Sequence, residues 1–174
     1  MASTKRGRQT VRDMVLSLAA IGGVVALIYV FIPHSEKDPV RPVDYRVELL
    51  TARRAAPFPL LAPEGLSKDW RATSVEYTGD DRRARGAVWH LGFINPHDEY
   101  AAVEQTNGPA LPFIEDKSRR ATKEGTTEVA GHKWDRYAGP KYNALVRRGK
   151  DVTTVVTGTA PHAQLAQLAA ALKG

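Results

Sequence analysis

Residues 14–32, MVLSLAAIGGVVALIYVFI, decide how the rest of this chain is organised. These nineteen residues contain no charge. A helix of that length covers roughly 28 Å, close to the roughly 30 Å hydrocarbon thickness of a bilayer. Inside lipid a helix also satisfies its own backbone donors and acceptors. The run therefore predicts a single transmembrane helix over Met14–Ile32.

The charges beside this run indicate its orientation. Four cations and one anion precede it: Lys5, Arg6, Arg8, Arg12 and Asp13. Because an excess of basic residues keeps a short segment in the cytoplasm, we expect a cytoplasmic tail over residues 1–13 and an exported C-terminal part. A cleaved signal peptide is the alternative. The apolar run is longer than a usual signal sequence, however, and residues 29–37, YVFIPHSEK, offer no A-x-A-like cleavage site.

Small residues recur four apart within the predicted span. Ala19 and Gly23 form one such pair, and Gly22 and Ala26 form another. This spacing lets two membrane helices approach closely, so the four residues are candidates for a homodimer seam. Small residues are also common as lipid-facing filler, which is the alternative interpretation.

Composition bounds the exported part. About 140 residues follow the span, enough for one domain with its own core. The net charge of +6 includes +3 from the tail, which leaves 21 basic and 18 acidic residues elsewhere. This balance argues against a nucleic-acid-binding protein. The absence of cysteine excludes disulfides, thiol catalysis and thiolate metal sites.

Periodicity predicts an α+β fold, with an antiparallel sheet and packed helices, over residues 43–174. Residues 33–42, rich in proline and charge, form a spacer before it. Residues 43–55 are a strand or a short helix, and the helix is favoured. The predicted strands cover residues 70–77, 87–94, 128–130, 133–137, 142–148 and 152–157, and further helices cover 111–121 and the segment after Thr159.

Another helix is predicted over residues 95–107. Asn95 is a typical N-cap, Pro96 suits the first helical position, and acidic residues follow in the first turn. His97, Asp98 and Glu99 are therefore interpreted as helix-start residues. They are not predicted to be metal ligands or an acid and base pair, because consecutive residues of a helix point in different directions.

Four segments resemble a known family. They are LLAPEGLSKDWRATSVEY at residues 60–77, AVWHLGFINPHDEYAAVEQT at 87–106, VAGHKWDRY at 129–137 and ALVRRGKDVTTVVTGTAPHAQLAQLAAAL at 144–172. With the N-terminal anchor, they are similar to actinobacterial membrane-anchored proteins classified only as a domain of unknown function. This resemblance implies an exported domain without an assigned activity. At the level of fold the pattern is also similar to the Mog1/PsbP-like sandwich, which implies binding and not catalysis.

The candidate site residues are few. The chain has no sequence motif for a catalytic triad, nucleotide, metal or other cofactor, so no catalytic or metal-binding residue and no cofactor is predicted. Trp70, Trp89 and Trp134 are candidates to line a ligand groove together with His90, but core packing is the favoured interpretation of the tryptophans. On a strand, His90 lies on the opposite face from Trp89. Basic residues of predicted loops are candidates for anionic surfaces: Arg53, Arg54, Arg82, Arg83, Arg85, Arg147, Arg148 and Lys150.

Two main hypotheses for the function remain, beside a third in which dimerisation of the membrane helix through the Gly22 and Gly23 face is the main role. The first is a single-pass membrane protein whose exported domain binds an envelope protein, a lipid or an anionic polymer. The second is a cell-envelope hydrolase that uses a histidine, His90 or His97, as its base. An enzyme requires polar groups that converge on a histidine, whereas a binding protein requires an apolar or basic groove.

Overall fold

The computed structural model describes residues 4–31, 42–79 and 86–174. Residues 1–3, the end of the predicted span at Ile32, most of the predicted spacer, and Arg82, Arg83 and Arg85 lie outside these ranges. The chain divides into two compact units, Met1–Pro39 and Val40–Gly174.

In the described part of the first unit, helix α1 covers Thr4–Phe31. It begins well before Met14 and so includes basic residues of the tail. Large apolar side chains between Val11 and Leu27 are 57–74 % exposed. Among the described residues, no helix combines the length and the apolar character needed to cross a membrane.

The second unit has the predicted α+β fold. Its helices are α2 (Arg46–Ala55), α3 (Ala110–Lys117) and α4 (His162–Ala171). Its strands are β1 (Ala62–Pro63), β2 (Arg71–Thr78), β3 (Val88–Ile94), β4 (Tyr100–Thr106), β5 (Thr122–Val129), β6 (His132–Ala138), β7 (Asn143–Arg148), β8 (Thr153–Gly158) and β9 (Leu172–Lys173).

Seven strands form one antiparallel sheet in the order β2-β3-β4-β8-β7-β6-β5. Two meanders, β2-β3-β4 and β5-β6-β7-β8, meet where β4 pairs with β8. Each meander is followed by a helix, first α3 and then α4. β1 and β9 form a separate two-stranded ribbon.

The two faces of the sheet carry different layers. The main core lies under α2, α4 and the segment before β2, and contains the fully buried Trp89, Trp134 and Leu165. A smaller cluster on the other face joins Ile114 of α3 to Val146 and Val155. Alternation along the strands produces this division, because successive side chains point to opposite faces.

The helix predicted over residues 95–107 is wrong. Residues 100–106 form β4, which pairs with both β3 and β8. The Asn95 side chain does accept hydrogen bonds from following backbone N–H groups, as its residue type suggests. Its Oδ1 accepts the N–H groups of His97 and Glu99 at 2.9 Å, but within a hairpin turn and not at a helix start. Asp98 takes a positive φ of 58° in that turn. Pairing on both edges overrides the helix-start signal, because backbone hydrogen bonds from two neighbouring strands outweigh one cap.

The other predicted helices and strands are present in the structure, with different end residues. Residues 46–55 form the favoured helix, α2, and the predicted helix over 111–121 ends earlier, at Lys117. Thr159 does not cap α4, since its hydroxyl accepts the backbone N–H of Tyr100 at 3.0 Å.

Candidate functional site

The predicted groove residues do not meet in one place. Trp89 is fully buried, and its Nε1 donates to the Leu61 carbonyl at 3.0 Å. Trp134 is 1 % exposed beneath the guanidinium of Arg147, which lies 5.0 Å from its ring. Trp70 and His90 line two different pockets. The domain therefore has two candidate sites, one beside α2 and one beside α3.

The pocket beside α2 has a volume of about 710 Å³ and an aromatic floor. The Phe93 ring meets the Tyr45 ring edge-on at 5.9 Å and the Trp70 ring at 6.3 Å. Burial raises the pKa of Tyr45, whose hydroxyl is 3.4 Å from the Pro63 carbonyl. This floor offers a ligand apolar contact area with few polar groups.

The rim of this α2 pocket is charged. Arg46 and Arg53 come from α2, and Lys68 comes from the segment before β2. Asp44 and Glu64 also line it, so the rim has both signs of charge. The buried Nε1 of Trp70 has no hydrogen-bond partner among the described residues. A buried donor is normally paired, so this unpaired N–H is an exception beside the aromatic floor.

The pocket beside α3 has a volume of about 470 Å³ and is polar. His90 and Glu104 are directly opposite each other on β3 and β4, and Glu76 is opposite His90 on β2. His90 Nδ1 is 2.7 Å from Glu104 Oε1. Lys117 at the end of α3 places its Nζ 3.1 Å from Glu104 Oε2, although that oxygen makes no hydrogen bond of good geometry. The buried carboxylate thus has two basic neighbours.

Ser74 completes a hydrogen-bonded array with these residues. Its Oγ is 2.7 Å from His90 Nε2. An ionised Glu104 only accepts hydrogen bonds, so Nδ1 of His90 carries the proton that joins them. In the neutral ring, Nε2 then accepts the hydroxyl hydrogen of Ser74. The order serine, imidazole, carboxylate is that of a nucleophile, its base and the group that orients the base.

Two backbone features bring Ser74 to His90. A bulge between Ala72 and Ser74 shifts the register of β2 against β3, which changes the direction of the serine side chain. Opposite Ser74 lies Gly92, where a Cβ would be only 2.4 Å from Ser74 Oγ and 3.1 Å from the Tyr100 hydroxyl. The glycine therefore leaves the space that both hydroxyl groups occupy.

Tyr100 joins the array from the pocket side. Burial is the largest cause that raises the pKa of Tyr100, and with the nearby charge of Glu104 it raises this pKa to about 12. A hydrogen bond with Ser74 acts in the opposite direction. The phenol therefore keeps its proton at neutral pH and remains a hydrogen-bond donor. Its ring packs near that of Tyr142, at 6.2 Å between centroids.

Of the other sequence candidates, Arg53 lines the α2 pocket, whereas His97 and Arg148 lie apart from both pockets. His97 is exposed in the β3–β4 turn, and His132 is exposed at the start of β6. Arg148 pairs with Asp135. Within the described ranges, no cluster of three or more His, Asp and Glu side chains is placed to hold a metal ion.

Sequence reasoning singled out His90 but missed its partners. Glu104 was assigned to a helix, so its pairing with β3 was not visible. Ser74 was placed on a predicted strand without a chemical role. Glu104 itself is a signal for such a site, because it is a charged residue among apolar and small neighbours in AAVEQT. A charged residue that is buried needs a partner.

Comparison with known proteins supplies a family and no activity. No curated protein and no solved structure matches this chain. One family model, described as a protein of unknown function, DUF4245, matches residues 6–172. With nearly its whole length matched, the chain belongs to the DUF4245 family of proteins of unknown function.

Proposed function

We propose that this protein is a single-pass membrane protein of the actinobacterial cell envelope whose exported domain binds an envelope ligand. The uncharged run Met14–Ile32 and the basic tail before it support the anchor and its orientation. The exposed apolar side chains between Val11 and Leu27 support it too, because a soluble surface seldom carries so many together.

Orientation can be tested directly, because the chain has no cysteine. Ser3→Cys and Ala163→Cys each introduce a single thiol for a maleimide that does not cross membranes. In intact cells we expect labelling at position 163 only, with position 3 labelled after permeabilisation. Release of the protein in soluble form without membrane extraction, or labelling at position 3 alone in intact cells, would contradict the proposed arrangement.

The α2 pocket is the proposed binding site. The observation that carries this proposal is the buried, unpartnered Nε1 of Trp70 beside an aromatic floor and a rim that includes arginines. These groups suit a ligand with an apolar part, a hydrogen-bond acceptor and an anionic group. An envelope lipid combines all three in one small molecule, which is the kind of ligand that a pocket of this size encloses.

Thermal unfolding of the full chain in a neutral detergent tests this site. Ligands that bind the native state raise the midpoint by mass action. We expect a shift with anionic lipids that Trp70→Phe reduces. Trp134→Phe is a matched control, since that indole also has a buried Nε1 without a partner but does not line the pocket. A shift that survives Trp70→Phe, or one produced only by polymer or protein, would overturn the lipid assignment.

A cell-envelope hydrolase is the second candidate function. The array of Ser74, His90 and Glu104 favours it, because polar groups converge on a histidine in the α3 pocket. His97 carries no such array and is exposed in a turn. Loss of function in His90→Ala, with His97→Ala unaffected, would favour the enzyme over the binding protein.

Two finer assignments accompany the main proposal. The pair spacing of Ala19, Gly22, Gly23 and Ala26 supports a homodimer seam in the membrane, and a Cβ added at either glycine would meet no atom within 4 Å. If the protein crosslinks as a dimer and Gly22→Leu abolishes that crosslinking, the result would support the seam.

The helices on both faces of an antiparallel sheet support similarity to the Mog1/PsbP-like sandwich, which an experimental structure would test.

A further inference from the structure

We propose that Ser74 is the nucleophile of an esterase site beside the α3 pocket, with His90 as its general base and Glu104 as the carboxylate that orients His90. His90 and Glu104 line this pocket, and Ser74 adjoins it through its hydrogen bond to His90. This inference rests on the second candidate function, the hydrolase, and names its nucleophile and its substrate class. It is independent of the lipid-binding pocket beside α2.

The geometry meets the requirements of nucleophilic catalysis. Both hydrogen bonds of the array measure 2.7 Å, from Ser74 Oγ to His90 Nε2 and from His90 Nδ1 to Glu104 Oε1. The three residues come from three adjacent strands, so sheet hydrogen bonds fix their relative positions. Such rigid support is what a catalytic array needs.

Structural stability alone is a poor explanation for this array. Glu104 is 4 % exposed, and burying a carboxylate costs free energy even when it is paired. Apolar residues at this position on a sheet would pack without that cost. The bulge at Ser74 and the glycine opposite it also depart from a regular strand, and such departures occur preferentially at functional sites.

The reaction proceeds by acyl transfer. Ser74 Oγ attacks the carbonyl carbon of the ester and forms the new C–O bond, while its proton passes to His90 Nε2. The carbonyl electron pair moves to oxygen, and the Tyr100 O–H, which lies beside Ser74, donates a hydrogen bond to that oxygen. Collapse of this intermediate breaks the bond to the alcohol, which takes the proton from His90.

Water completes the cycle. It attacks the acyl-serine, with His90 accepting its proton and returning it to Ser74 Oγ as the carboxylic acid leaves. The Glu104 carboxyl group accepts the hydrogen bond from His90 Nδ1 and stabilises the imidazolium that forms in each step. No metal, oxidant or reductant enters the reaction.

The pocket indicates the class of ester. Its volume of about 470 Å³ accommodates a small molecule, and its polar lining includes Lys117 and Arg119 as well as Glu76 and Asp116. A small carboxylic ester with polar substituents fits these surroundings better than a long acyl chain does.

Two probes test the nucleophile on the full-length protein. The first is a fluorophosphonate, which an activated serine attacks with loss of fluoride. After digestion we expect the phosphonyl group on the peptide of residues 72–82, which contains Ser74. The exposed Ser67 in the same digest is the internal control and should carry no label. Equal labelling of both serines would mean that Ser74 is not activated, and would overturn the proposal.

The second probe is hydrolysis of p-nitrophenyl butyrate. Ser74→Ala and His90→Gln should each lower kcat at least about a hundredfold, as loss of a general base or its nucleophile does. His132→Gln, an exposed histidine on β6, is the matched control and should leave the rate unchanged. Unfolding midpoints of all variants establish that the losses do not come from unfolding.

The outcomes separate the nucleophile from the hydrolase itself. Activity that needs His90 but survives in Ser74→Ala would retain the hydrolase and overturn Ser74, because His90 would then activate water. If the cooperatively folded protein shows no labelling and no hydrolysis, both the hydrolase and the role of Ser74 are overturned.

A thiol in place of the serine provides a test that needs no substrate. Ser74→Cys gives this cysteine-free chain a single thiol. If position 74 is accessible and His90 removes its proton, iodoacetamide should alkylate it at least about tenfold faster than in the double variant that also carries His90→Gln. Equal rates, or no alkylation in the folded protein, would contradict the assigned roles.

Discussion

Single residues set the geometry of the α3 pocket. Gly92 is the clearest case, because it leaves room for the hydroxyl groups of Ser74 and Tyr100 over the sheet. Neither hydroxyl could keep its place beside a larger side chain at this position. The residue that positions the array therefore has no functional group of its own.

Gly92→Ala should both destabilise the domain and disturb the array. The added methyl group would lie 2.4 Å from Ser74 Oγ, so the serine or the strand must move. We expect a loss of about 1–3 kcal/mol in the free energy of unfolding, typical of overpacking, measured by urea titration. Gly125→Ala is the control, because a Cβ there meets no atom within 4 Å. That variant should be neutral or slightly more stable, since alanine restricts the unfolded chain. An unchanged stability of Gly92→Ala would show that the strands relax easily.

At the scale of elements, the edge strand β5 is held by charge as well as by pairing with β6. Asp135 on β6 meets Lys123 of β5 at 2.8 Å and Arg148 of β7 at 3.1 Å. Arg136 and Glu124 form a further pair across the same two strands at 2.7 Å. Charged side chains on an edge strand also discourage pairing with another chain. The cluster thus connects three strands at the open edge of the sheet.

Asp135→Asn should make the free energy of unfolding less sensitive to pH in the acid range. Burial raises the pKa of Asp135, but hydrogen bonds from Lys123 and Arg148 outweigh it and lower that pKa below the ordinary value. A carboxyl group with a lowered pKa stabilises the fold at neutral pH and loses this contribution as pH falls below about 4. We expect the variant to lose about 0.5–1 kcal/mol at pH 7 and to converge with the native protein in acid.

Urea titrations at a series of pH values measure this convergence. Asp151→Asn, an exposed aspartate in the β7–β8 turn, is the control and should follow the native protein at each pH. A constant difference between Asp135→Asn and the native protein down to pH 2 would mean that Asp135 acts through hydrogen bonding alone.

At the scale of the whole molecule, the two meanders share one sheet and one main core. Their junction pairs Val103 of β4 with Val156 of β8, and both side chains are fully buried. The main core includes Trp89 from the first meander and Trp134 from the second. A core that extends across both halves predicts that the halves do not unfold separately.

Single-tryptophan variants of the full chain test this cooperativity. One keeps only Trp89 and the other only Trp134, with phenylalanine at the remaining two positions. Each should show the same urea midpoint by fluorescence and by far-ultraviolet circular dichroism. A midpoint that differs between probes within one variant would show that the two meanders are separate folding units.

The sequence predicted the types of most elements and the faces of their residues. Alternation placed His90 on the opposite face from Trp89, and the structure has this arrangement, with Trp89 in the core and His90 in the α3 pocket. The apolar residues Leu50, Ala52 and Ala55 favoured a helix over a strand, and the structure has the helix α2 there. These features are local, because the side-chain period of a helix or a strand is set by its own backbone geometry.

The tertiary structure decided the identity of residues 100–106 and the composition of the candidate site. Glu104 reaches His90 only through the pairing of β4 with β3, and Ser74 reaches it only through a bulge in β2. Neither contact follows from the residues near it in sequence, because the register between strands depends on packing across the whole sheet. The sequence by itself thus determined how side chains alternate along single strands such as β3, whereas only the folded sheet determined which polar residues meet on one of its faces.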